Sequence, residues 1–193
     1  MGTRSLKVRG WGGMNGGPLP GRVTLHIVYY PDPVLKRPAA PVGEIPDNIE
    51  DIVEGMREVM ELEKGIGLAA PQVGLSIRLI LVRPGDDPED ELVLINPEIT
   101  RYKGKKEWGE EGCLSFPGIW GQVLRHPRVE VRYTDLEGAE QTLDAEDLLA
   151  RILQHEIDHL DGKLFVFKMR PSDRIAAKAQ LRDLEERYEI LGT

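Results

Sequence analysis

Cysteine is almost absent from this chain, with Cys113 the single example among 193 residues. An intramolecular disulfide is therefore excluded, and the usage fits a reducing compartment, so a cytoplasmic location is expected. Histidine is nearly as scarce, with four in all, so the position of each carries weight. No apolar run approaches the roughly 20 residues that span a bilayer, and no membrane contact is expected. Basic residues are outnumbered, 25 Lys and Arg against 33 Asp and Glu, for a formal net charge of −8. That balance argues against non-specific nucleic-acid binding, which needs a basic surface, and no sequence-specific contact is expected either. Acid is missing from the N-terminal stretch, where Asp32 is the first carboxylate and seven of the first 21 residues are Gly. Lacking an apolar core the stretch is no signal peptide, and with Ser5 its only serine it makes a poor transit peptide. Residues 1–22 are expected to be a flexible Gly-rich tail, or an extension ahead of a true start at Met14.

From Val23 to the C-terminus, residues 23–193, the pattern is that of a single domain without repeats. A length of 193 residues suits one well-buried core better than two. Tyr29 to Pro33 reads as an extended segment followed by a turn. Ile49, Ile52, Val53, Met56, Val59 and Met60 recur at helical spacing and predict a helix over 47–64, stopped by Gly65. Strands are expected over 77–82 and 91–95, the latter closed by Asn96-Pro97, and then over 107–114, 128–134 and 140–143. Asp135 to Gly138 supplies a turn between the last two. A second helix is expected from an N-cap at Asp144 to Gly162, with a short strand over 164–167 after it. Ser172 is expected to cap a final helix reaching Leu191. The fold class is α+β, strands around one central helix.

The strongest chemical signal is His155-Glu156-Ile157-Asp158-His159 inside the second helix. Residues four apart share a helical face, so both imidazoles reach one ion, while Glu156 stands beside the open position as a general base. A catalytic metal site needs a third protein ligand. Glu185, Glu186 and Glu189 on the last helix are candidates in the peptidase pattern. Cys113, at a strand end beside Gly112, is the preferred one, because a thiolate binds zinc and ferrous iron strongly. The loop Gly65 to Gln72 is rich in small residues that leave backbone groups available to a ligand, and it ends on an amide able to donate to a developing oxyanion. The same helical face carries Leu148 and Ile152 as an apolar wall.

Taken in order, Gly65-Ile66-Gly67-Leu68-Ala69-Ala70-Pro71-Gln72, Glu111-Gly112-Cys113-Leu114-Ser115 and Gln154-His155-Glu156-Ile157-Asp158-His159 resemble the three signature motifs of the peptide deformylases. The resemblance extends from about Ile27 to Arg170. It implies a deformylase-like fold of mainly antiparallel sheets around the helix that carries the histidines, with a C-terminal helix. It further implies that Cys113, His155 and His159 hold the metal and Glu156 is the acid/base. Gln72 and the backbone N–H of Leu114 would form the oxyanion hole, with Ile66, Gly67, Glu111, Gly112, Leu148 and Ile152 around the substrate. The substrate would be the N-formylmethionine of a nascent polypeptide, and formate the product. Ligand chemistry alone suggests zinc. The resemblance shifts the expectation to one ferrous ion per chain, with Zn2+, Ni2+ or Co2+ able to substitute.

A zincin-type metallopeptidase and an inactive, metal-binding, ribosome-associated module are the competing readings. The first lacks a downstream histidine, and the second has no need of Glu156 and Gln72. Trp120 stands where several bacterial relatives carry a polar or basic residue near the cleft mouth, which touches side-chain preference rather than the reaction. Arg174, Lys178 and Arg182 form a basic stripe on the last helix. It is read as a solvated face, with ribosome docking as the other use of it.

Overall fold

The computed structural model describes residues 23–191 apart from Asp86. The expected N-terminal tail lies outside the described residues. In chain order the elements are α1 (Ile49–Leu62), β1 (Gly67–Ala69), β2 (Leu79–Val82), β3 (Leu92–Lys103), β4 (Glu107–Gly112), β5 (Trp120–Arg125), β6 (Arg128–Thr134), β7 (Glu140–Glu146), α2 (Asp147–Leu160), α3 (Pro171–Ala176) and α4 (Lys178–Leu191). Short 3-10 turns at Pro33–Lys36, Ala70–Val73, Pro88–Asp90 and Phe165–Phe167 join them. Five strands pair in the order β1-β2-β3-β6-β7, each pair antiparallel, and β4 and β5 make a separate hairpin.

Alternation along β2 shows how the layers are built. Leu79 and Leu81 join the core against Ile52, Met56 and Met60 of α1. Ile80 and Val82 join the opposite core against Ile152, Leu153 and Ile157 of α2. Both faces of a central strand are thus buried, and its sequence, Leu-Ile-Leu-Val, is apolar throughout. A third cluster packs Tyr30, Leu35, Phe116, Phe165, Met169 and Leu184 together, which docks α4 onto the N-terminal segment. From Ile152 to Leu160 every residue of α2 is buried. Its apolar side chains each contribute about 1.5–3 kcal/mol on burial. That apolar packing holds five polar residues, Gln154, His155, Glu156, Asp158 and His159, inside the protein.

Several boundaries differ from the sequence expectation, each for a local reason. The left-handed residue that ends α1 is Lys64 (φ 55°), not Gly65. Gly65 N–H donates to Met60 O at 2.8 Å and Lys64 N–H to Glu61 O at 3.1 Å, the pairing of a Schellman cap. Asn96-Pro97 does not close its strand, because β3 runs through it with a register shift between Ile95 and Glu98. Asn96 exchanges two hydrogen bonds with the Val42 backbone, at 2.8 and 2.7 Å, and the irregularity accommodates the missing proline N–H. Asp144 is not a helix cap. It pairs with Glu130 inside the sheet, its carboxylate holds Lys103, and the N-cap is Glu146.

Strands β1 and β5 fall where none was expected. The residues before Lys168 form a 3-10 turn in place of a strand. The last helix starts with Pro171 at its first position, not with a Ser172 cap, and is interrupted at Ala177.

Candidate active site

Three elements converge on the inward face of α2. The hairpin β4–β5 brings Cys113 to the end of β4, the turn after β1 brings Gln72, and α2 supplies His155, Glu156 and His159. Cys113 Sγ lies 3.2 Å from His159 Nε2, and Gln72 Nε2 donates toward Cys113 Sγ at 3.5 Å. The other end of that amide is fixed, because Gln72 Oε1 accepts from Ala69 N–H at 2.8 Å. Among the described residues, Cys113, His155 and His159 offer ligand atoms that all lie within 4.8 Å of one another. The glutamates of α4 stand elsewhere, and Glu185 accepts a hydrogen bond from Tyr30 Oη at 2.7 Å.

A network below the histidines orients them. Glu111 accepts from Arg125 Nε at 2.9 Å, Arg125 Nη2 at 3.0 Å and Arg151 Nη1 at 2.8 Å, and it lies 3.0 Å from His155 Nδ1. With Nδ1 so engaged, Nε2 is the nitrogen left to bind an ion. Arg125 also donates to Asp158, whose carboxylate is held by Lys168 at 2.6 Å. Burial alone would raise the Glu111 carboxyl, but hydrogen bonds from His155 and Arg125 outweigh it and hold the group well below the usual carboxylate range. Glu156 is pushed up to about 7 by burial, with Glu111 and Asp158 adding to the rise. Burial and the neighbouring His155 push His159 well below the usual imidazole range, which leaves it neutral and able to ligate.

These residues suit a metal by their own chemistry. One thiol and two imidazoles form a borderline-soft donor set, ordinary for zinc or ferrous iron. Among the described residues, three buried polar side-chain atoms lack a hydrogen-bond partner, Glu156 Oε2, His159 Nδ1 and Ser115 Oγ, and two of the three belong to this cluster. Such atoms are rare and mark a place where something else is bound or reacts.

The cleft around them has a volume of about 420 Å³. Each substrate-side residue expected from the sequence, Ile66, Gly67, Glu111, Gly112, Leu148 and Ile152, contributes to its lining, as do Gln72 and Leu114. Ile66 and Leu148 are about half exposed at its mouth and Ile152 is buried deeper. Glu111 differs from the others, since its carboxylate is turned away into the network under His155. Gly67 is required by close approach, because a Cβ there would come within 2.6 Å of Glu156 Oε1.

A family model described as polypeptide deformylase matches residues 24–175. The chain belongs to the peptide deformylase family. It is 45% identical over 165 residues to the peptide deformylase of Acidobacterium capsulatum, covering 84% of this chain and 96% of that one. The enzyme of Desulforudis audaxviator is 50% identical over 141 residues, covering 72% of this chain and 90% of its own. Among solved structures, the Plasmodium falciparum peptide deformylase superposes with a TM-score of 0.83 at 39% identity, over 86% of this chain and 99% of that one. This deformylase is therefore an enzyme that removes the formyl group from the N-terminus of nascent polypeptides. The family is metal-dependent, and the Cys-His-His cluster is able to hold one ion. The peptidase and inactive-module readings are set aside.

Sequence reasoning missed Arg125, Arg151, Asp158 and Lys168, which fix the histidines from behind. A signal was present in Val123-Leu124-Arg125. Once this is seen as a strand, Val123 and Arg125 share the buried face, and an arginine there demands a buried acid.

Proposed function

We propose that Cys113, His155 and His159 hold one divalent ion per chain and that Glu156 is the acid/base of deformylation. The observation carrying this is the meeting of those three donors, within 4.8 Å of one another, at a cleft lined by Cys113, His155, the Glu156 carboxylate and the Gln72 amide. When bound, the ion supplies Lewis acidity toward water and a carbonyl oxygen. Glu156 takes a proton from the attacking water and returns it to the leaving nitrogen as the C–N bond of the formamide breaks. Formate and a free methionine amine result. The Gln72 amide and the Leu114 N–H donate to the oxygen that gains charge as the formyl carbon is attacked. Ile66, Gly67, Gly112, Leu148 and Ile152 receive the methionine side chain, whose burial is worth about 1.5–3 kcal/mol. Glu111 serves the substrate indirectly, by orienting His155.

Within this reading the ion is ferrous iron, following the family resemblance, and metal analysis of protein purified without oxygen identifies it. The catalytic unit is the domain from residue 23 onward, and the lone cysteine supports a cytoplasmic setting. No helix of the described residues is long and apolar enough to cross a membrane. The basic stripe of Arg174 on α3 with Lys178 and Arg182 on α4 is the face through which ribosome docking would occur, and salt-sensitive co-sedimentation with ribosomes tests it. The decisive test replaces Glu156 with alanine. Metal content should stay at one ion per chain while turnover of formyl-Met-Ala-Ser falls by about 10²–10⁴-fold. Undiminished turnover at full metal content overturns the assignment. Cys113→Ser should lower metal content, and a fully loaded variant would point to another third ligand.

A further inference from the structure

A second cavity, also of about 420 Å³, adjoins the catalytic cleft and shares Glu110, Gly118 and Trp120 with it. Trp120 is the wall between the two. Cross-strand pairing sets it opposite Gly112, where its ring lies 2.8 Å from the position a Cβ would take. The bare glycine therefore lets the indole lie flat over β4, one residue before Cys113, with 64% of Trp120 left exposed. Pleating puts Glu110 and its partner Gln122 on the same outer face of the hairpin. The far wall comes from α3 and α4 and is locked to the hairpin by two contacts. Gln122 N–H donates to Asp173 Oδ2 at 2.8 Å, and Gln180 Nε2 donates to Gly118 O at 3.3 Å. Among the described residues, the charged side chains lining this second cavity are Glu110 and Asp173, both acidic.

The occupant follows from continuity. The substrate is a polypeptide, so the chain beyond its first residue has to leave the catalytic cleft, and this cavity opens from its mouth. An extended peptide advances about 3.3 Å per residue, so a few residues past the methionine reach it. We propose that the second cavity is a downstream subsite for the substrate chain, in which Trp120 and Glu110 select a cationic side chain several residues after the formylmethionine. The inference rests on the first cleft being the active site. An indole face beside two carboxylates suits a guanidinium or ammonium group through ring stacking and charge. The protein uses the same chemistry on its own surface, where Arg170 lies 4.6 Å over the Trp108 ring and Arg174 lies 5.0 Å over Phe167.

The test measures kcat/KM on formyl-Met-Ala-Ser and on formyl-Met heptapeptides in which one Lys or one Glu is moved from position three to position seven. At one or two adjacent positions the Lys peptide should exceed its Glu counterpart by about two- to five-fold, the range of an exposed cation–π contact. The advantage should shrink as salt is raised. Within Trp120→Ala and within Glu110→Gln that ratio should fall toward one, whatever each variant's rate on the tripeptide. Gln180→Glu, which adds a carboxylate to the far wall, should enlarge it. A ratio near one at every position in the unaltered enzyme, with the tripeptide still turned over, overturns the subsite and leaves the active site standing. Failure to turn over the tripeptide at full metal content overturns both. A ratio unchanged in all three variants assigns the selection elsewhere and also overturns the subsite.

Discussion

Replacing Glu111 with glutamine keeps its shape and removes one charge at a point where four donor atoms converge. Those atoms are Arg125 Nε and Nη2, Arg151 Nη1 and His155 Nδ1, all within 3.0 Å of the carboxylate. Glutamine offers one acceptor oxygen, and its NH2 would face donors that have no lone pair to give. Both Glu111 and Arg125 are about 5% exposed at their side chains, so solvent screens the loss poorly. Breaking such a buried pair costs about 3–5 kcal/mol, and because Asp158 still faces Arg125 the lower end, about 3 kcal/mol, is expected. For a chain of this size that corresponds to a fall in Tm of about 6–12 °C. The second consequence is local to His155, whose ring loses the acceptor that fixes its orientation. Metal affinity should fall by about 10–100-fold. Thermal unfolding followed by circular dichroism, with metal content measured after dialysis against a graded chelator, reads both effects. Glu110→Gln, one residue earlier and exposed, is the control and should leave Tm within about 1 °C. An E111Q protein with the Tm and metal retention of the unaltered chain would refute the positioning role.

Gly67→Ala should damage catalysis more than folding. Its Cβ would lie 2.6 Å from Glu156 Oε1 and 2.7 Å from Ile152 Cγ2, so Glu156 has to swing away. We expect kcat to fall at least tenfold with metal content intact, and a kcat within twofold of the original would show that the carboxylate can move without cost. Tyr30→Phe tests the tie between α4 and the N-terminal segment. Tyr30 Oη donates to Glu185 at 2.7 Å, and because Glu185 is exposed the loss should be about 1 kcal/mol by urea denaturation. Burial, followed by the Glu185 hydrogen bond and charge, pushes the Tyr30 phenol up to about 12 from 10.0. A raised folded-state pKa means that this contribution is fully present below pH 10 and is lost as pH rises toward 12. The stability gap between the two proteins should therefore close over that interval, and a constant gap would refute the assignment.

What was legible in the sequence was mostly local. The spacing of His155 and His159 needs only the helical repeat, and the apolar stripe of α1 needs only its own residues. The signature blocks around Gln72 and Cys113 were readable as blocks because each is a continuous stretch. Boundaries failed where a long-range partner overrode the local signal. Asp144 looks like a cap until Lys103 and Glu130 claim it for the sheet, and Asn96-Pro97 looks like a stop until Val42 holds the asparagine in place. The network behind the two histidines was illegible for the same reason, since Arg125, Arg151 and Lys168 meet only once the hairpin is laid against α2.

Glu111 joins the two cases. The family resemblance placed it around the substrate, but the pleat of β4 turns Glu110 and Gly112 outward and Glu111 inward. The same alternation sends one carboxylate to Arg125 and His155 and leaves its neighbour beside Trp120 at the mouth of the second cavity. A slip of one residue in the β4–β5 register would exchange them, placing the carboxylate that holds His155 in solvent. The function of both acids therefore rests on a register that the pairing of Gly112 with Trp120, an interaction only glycine permits, helps to fix.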